Sequence, residues 1–165
     1  MRASRIFSFT LLLILASLSG CGPSEKQRAE ERSKAAAANA LKSLRKIEAA
    51  TQVGVNRMQY GPLLIEAKAT LNEANAFMID GDIKRDLNAA MEAFTDASGV
   101  WQQEYGVIQA NAEPGLTWQK KYNVPSREST VLGYPVIDRE TTVQLAWKQA
   151  SQHLDRASAQ LNTKP

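Results

Sequence analysis

The chain is short of several things, and each shortage excludes something. It has one cysteine, so no internal disulfide can form. One cysteine and one histidine cannot make a Cys/His zinc cluster, which takes about four such ligands. Neither sign of charge dominates, with 20 basic against 17 acidic residues. There is no glycine-rich phosphate loop, no Gly-x-Ser-x-Gly elbow, no Cys-x-x-Cys pair and no haem-attachment motif. These absences do not exclude an enzyme, but they leave no catalytic residue to name. What is present is ordinary for a globular chain: 165 residues, about one domain, with 44% hydrophobic residues, which argues against wholesale disorder.

The N-terminus differs from the rest. Arg2 and Arg5 form a positive region, and Ile6 to Leu18 is an uncharged apolar run. That run is too short to cross a bilayer comfortably, which takes about 20 residues. It ends in Leu18-Ser19-Gly20-Cys21, which resembles the lipobox of bacterial lipoproteins. The resemblance covers Met1 to Gly22 and implies a signal peptide of residues 1–20, cleaved before Cys21. It also implies diacylglyceryl transfer to the Cys21 thiol and acylation of the new amino group. A thiolate is the strong nucleophile such a transfer needs, and two or three acyl chains hold firmly where one holds marginally. The alternatives are an ordinary secretory signal with a cysteine near its cleavage site, or an uncleaved anchor helix.

Gly22, rather than aspartate, follows the cysteine. By the enterobacterial sorting rule of this class, that makes the outer membrane the default in a Gram-negative host. Cleavage removes Arg2 and Arg5, leaving 18 basic and 17 acidic residues, a net of +1. An exported, nearly neutral chain gives no support to a nucleic-acid partner.

The remainder reads as all-α. Residues 21–40 are expected to form a joint and a polar helical stalk. Ser24 and Gln27 fit a capping box, and Glu25 to Lys34 carries no apolar stripe. A core-facing stripe is expected from Leu41 through Leu44, Ile47, Val55 and Met58. Gly61-Pro62 then ends the first helix or kinks it. Leu64, Ala67, Leu71, Ala74 and Met78 form a narrow seam. Gly81 suits a left-handed C-cap and Asp82 the next N-cap. The third helix is expected to carry Ile83, Leu87, Ala90, Phe94, Ala97, Trp101, Tyr105 and Ile108. The short connection makes these two seams an antiparallel hairpin from about Gly61 to Ala110.

Residues 111–137 break the pattern with Pro114, Gly115, Pro125, Gly133 and Pro135, and read as a long irregular loop. No strand signal rises above background; Val131 to Val136 is the one stretch with any strand character. A fourth helix starts at Asp138 or Thr141 and carries Val143, Trp147, Ala150, Leu154, Ala157 and Leu161. The expected architecture is a small antiparallel helical bundle over residues 41–165 with a long N-terminal stalk and a central hairpin.

The candidate chemistry is thin. His153 has Gln149 and Arg156 at helical reach, neither of them a nucleophile, and reads as an exposed histidine. Glu66 with Glu73, and Asp82 with Asp86, read as solvated faces, because bundle metal sites use Glu-x-x-His pairs that are absent here. No metal or cofactor is expected. Trp101, Tyr105, Trp118 and Tyr122, with Tyr134, gather near the end of the third helix and in the loop. They form either a binding platform or a satellite core pinning the loop, and the second is favoured because aromatics dominate burial in small domains.

The helical part resembles uncharacterised alanine-rich envelope lipoproteins. It lacks the sustained heptads and terminal lysine of the murein type. The expected role is a non-catalytic, membrane-tethered adaptor facing the periplasm with an envelope protein as partner. The alternative is a ligand-binding module built on the aromatic cluster.

Overall fold

The computed structural model describes residues 24–163; the expected leader and lipobox, with Cys21, lie outside the described residues. Helix α1 spans Glu25–Val53. Its capping box is the one expected: Gln27 N donates to the Ser24 hydroxyl, and Ser24 N donates to Gln27 Oε1 at 2.8 Å. Residues 24–32 are exposed, but Ala37 and Ala40 are already buried. The stalk therefore ends before residue 40. Alanine is both a helix former and the side chain that lets a neighbouring helix approach closely, and here it serves the second purpose too.

The first break is not at Gly61-Pro62. Helix α1 stops at Gly54, whose φ of 92° is left-handed, and Asn56 caps helix α2, Arg57–Asn75, in a second capping box with Gln59. Gly61 and Pro62 lie inside α2. Proline denies the Met58 carbonyl its helical partner. That turn faces outward, with Met58 and Pro62 both exposed, so water can replace the lost bond. Met58, expected in the core stripe, is instead solvent-facing. An Asn cap with a left-handed glycine before it outweighed the proline as a boundary signal.

Residues 76–81 connect α2 to helix α3, Asp82–Trp101. Gly81 is the extended N-cap of α3 rather than a left-handed C-cap, and Asp82 is the first helical residue. Helix α3 ends earlier than its spacing suggested. Tyr105 falls in an exposed turn, and Ile108 lies in strand β1, Val107–Gln109. The expected irregular segment is ordered. It holds helix α4, Gly115–Tyr122, and strands β2, Ser126–Glu128, and β3, Pro135–Asp138. The sheet is antiparallel with β3 in the middle, pairing Ile108 with Ile137 and Arg127 with Val136. Strands of three or four residues are too short to display a period of two. Helix α5, Arg139–Asn162, starts where expected, with the Asp138 carboxylate accepting from Thr141 N at 2.7 Å.

The four long helices run up, down, up and down. Lys46 meets Glu66 and Ser33 meets Ile79 across α1 and α2, Arg45 meets Asp155 across α1 and α5, and Arg139 meets Gln103 where α5 begins beside the end of α3. The protein is an all-α bundle, with the small sheet and α4 inserted between α3 and α5. The α2–α3 hairpin exists, but α3 makes its broadest contact with α5, and α2 with α1. Leu44, Ile47, Leu87, Phe94, Val143 and Leu154 are fully buried at the centre. Gly115 marks the closest approach of the insert, since a Cβ there would stand 2.0 Å from the Gln109 carbonyl oxygen.

Candidate functional site

The aromatic residues divide three ways. Trp101 packs edge-on against Trp147 with ring centroids 5.4 Å apart, and both pack on Tyr60 at 5.8 Å. The Tyr60 hydroxyl donates to the Phe94 carbonyl at 2.9 Å and accepts from Trp147 Nε1 at 3.0 Å. Burial raises the Tyr60 phenol above its ordinary range, so it stays a neutral donor. Trp118 and Tyr122 are buried where α4 lies on α3, with Trp118 against Gly99. The Tyr122 hydroxyl donates to Asp96 Oδ2 at 2.6 Å. Burial first, and then the Asp96 carboxylate, raise the Tyr122 phenol. Tyr105 alone of the four candidates is exposed. Sequence proximity had grouped the four, but the fold spends three of them on packing.

Two polar clusters have no counterpart in the sequence reading. Asp86, expected on a solvated face, is buried. His153 Nδ1 lies 2.7 Å from its Oδ1, Arg156 Nε donates to the same oxygen at 3.1 Å, and Gln160 Nε2 donates to Oδ2 at 3.4 Å. His153 is thus half-buried on a carboxylate rather than free at the surface. Burial opposes ionisation of Asp86, but the hydrogen bonds from His153 and Arg156 outweigh it and hold the carboxyl below its usual range. A carboxylate, an imidazole, a guanidinium and an amide contain no nucleophile of the serine or cysteine kind. The cluster's evident work is to tie α3 to α5. A signal for it was present: Asp86 falls three residues after Ile83 and four before Ala90, on the apolar face of its helix.

The second cluster ties α4 to α3. Lys121 Nζ donates to Asp96 Oδ2 at 2.7 Å and to Glu92 Oε1 at 2.5 Å. Burial works against the Lys121 charge, yet the two carboxylates raise its pKa. Among the described residues no group of three His, Cys, Asp or Glu side chains is placed to hold a metal.

The surface at the α1–α2 turn is apolar without being covered. Where α1 turns into α2, Val53 and Met58 are each 87% exposed and Ile65 is 73% exposed. A cleft of about 600 Å³ lies there, lined by Ala50, Val55, Pro62 and Leu63. Contiguous exposed apolar surface commonly marks a contact site, and a flexible methionine suits an adaptable one. Sequence reading missed it because Val55 and Met58 fit the core stripe. No family model, no curated protein and no solved structure matches this chain.

Proposed function

We propose that the protein is a non-catalytic adaptor of the bacterial cell envelope, held to a membrane by acyl chains on Cys21 and facing the periplasm. The outer membrane is its default destination in a Gram-negative host, and its partner is another envelope protein. The observation that carries the reading is the uncovered apolar face at the α1–α2 elbow. It lies about 43 Å along α1 from Ser24, at 1.5 Å per residue, at the end of α1 away from the anchor. The exposed polar start of α1 supports a spacer role. Asp86 and Asp96 support a body built for rigidity, since Arg156 and Lys121 tie them to neighbouring helices. No helix of the described residues is long and apolar enough to cross a membrane. The ligand-binding alternative draws on Trp101, Tyr105, Trp118 and Tyr122, of which only Tyr105 is free of packing.

The anchor is tested by Cys21→Ser, which should abolish fatty-acid labelling and leave the leader uncleaved; unchanged labelling ends the reading. The adaptor role is tested by placing a photo-crosslinking residue at Met58 and, as a control, at Lys148. Position 58 should give one reproducible protein adduct in cells that Ile65→Asp removes. The same yield at both positions, or none under several growth conditions, counts against it.

A further inference from the structure

We infer that the α2–α3 turn is a second membrane contact, with Phe77 and Ile79 dipping into a zwitterionic lipid surface so that the anchored bundle leans rather than stands. The inference rests on the lipid-anchor reading of Cys21. Three chain steps separate Cys21 from Ser24, a reach of about 10 Å at 3.3–3.6 Å per residue. The start of α1 is therefore confined to the lipid surface. The bundle end near that start holds the α2–α3 turn and the end of α5, which lies beside Lys34 and Ala35; Ile79 N donates to Ser33 Oγ at 2.9 Å, which fixes the turn against α1.

At this end two large apolar side chains face outward, Phe77 60% and Ile79 57% exposed, while Met78 between them is buried. Core packing explains Met78 and leaves its two neighbours without a partner in the fold. Ser33 lies about 14 Å along α1 from Ser24, and the turn stands roughly one helix spacing, 8–10 Å, to the side. A plane through Ser24 and the turn thus meets α1 at about a third of a right angle. An upright bundle would hold both side chains in water; a leaning one brings them to the interface, where an aromatic beside an aliphatic is at home.

The charges around Ile79 choose the kind of lipid. A cleft of about 440 Å³ beside it is lined by Gln27, Glu30, Glu31 and Lys34. Lys84 on its other side is already paired with Asp80 at 2.8 Å, and Arg85 with Asp82 at 2.6 Å. A rim of mixed sign matches headgroups carrying both an ammonium and a phosphate. An anionic surface would be met by a basic rim.

Full-length lipidated protein is reconstituted into phosphatidylethanolamine–phosphatidylcholine vesicles. Cys21 is the only native cysteine and is blocked by its lipid, so Ile79→Cys and Met58→Cys can each be labelled with bimane. Brominated acyl chains should quench position 79 at least threefold more than position 58. Phe77→Ser should reduce quenching at 79 without moving Tm. Equal quenching of the two positions in protein that floats with the vesicles overturns the contact and leaves the anchor standing. Protein that fails to float overturns both. Adding anionic lipid should change quenching at 79 less than twofold; a larger rise that salt abolishes would overturn the zwitterionic assignment.

Discussion

The two helix pairs of this bundle are made of similar alanine-rich sequence and are finished differently. Between α3 and α5 the apolar seam runs from Leu87 and Phe94 to Val143 and Leu154, all fully buried. Its edge is closed by Asp86 with His153, Arg156 and Gln160. Between α1 and α2 the seam is thinner. Its inter-helix ion pair, Lys46 with Glu66 at 2.6 Å, is half-exposed on both sides, where such pairs contribute little. Ser43 Oγ is buried without a hydrogen-bond partner among the described residues, and Val53, Met58 and Ile65 face solvent. The α3–α5 pair has its polar and apolar groups satisfied within the fold. The α1–α2 pair leaves apolar surface facing solvent.

Substitutions can break that contrast or sharpen it. Phe94→Ala should have the largest effect, a loss of about 3–5 kcal/mol in chemical denaturation, because the ring is fully buried and the cavity would be shared by α3 and its neighbours. A loss under 1 kcal/mol would mean the α3–α5 half is not the stable one. Asp86→Asn should cost about 1.5–3 kcal/mol near neutral pH, the scale of hydrogen bonds to a charged group. The sign with pH follows from the lowered Asp86 pKa. Its contribution is complete above the ordinary unfolded value of about 3.9 and is lost as pH falls through the lower folded value. The wild-type and variant stability curves should therefore converge only below about pH 4; convergence at pH 6 would refute the assignment.

Ser43→Ala should act in the opposite direction, raising stability by about 1 kcal/mol, since it removes a buried unpaired hydroxyl and improves helix propensity. A loss would show that the hydroxyl is paired in solution. Met58→Ser should be smallest, within about 0.5 kcal/mol, as expected for an exposed side chain. A clear loss would place Met58 in the fold and weaken its assignment to a partner.

What could be read from the chain follows the range of the interactions involved. Caps are local: Ser24 with Gln27 and Asp138 before α5 lie within one turn of the groups they satisfy, and both were legible. The seams through Leu71, Leu87 and Leu154 were legible because a helix repeats its face every 3.6 residues whatever it packs against. The break at Gly54–Asn56 was within reach too, since glycine and asparagine are local signals, but Gly61-Pro62 is the stronger breaker by propensity alone.

The rest required distance. Ile108 leaves the helical pattern because its partner is Ile137, 29 residues on. Asp86 and His153 are 67 residues apart and chemically meaningless until α3 and α5 are laid side by side. Tyr60 and Trp147 bond across 87 residues. The sequence by itself determined that the body would be helical, where two long helices begin, and that an apolar run stops just before a lone cysteine, because each of these is written in neighbouring residues. Only the tertiary structure decided which carboxylates are buried, which aromatics are spent on packing and which apolar side chains are left facing outward. Burial is a property of what lies across the interface, and a residue's own neighbours in the chain carry no record of it.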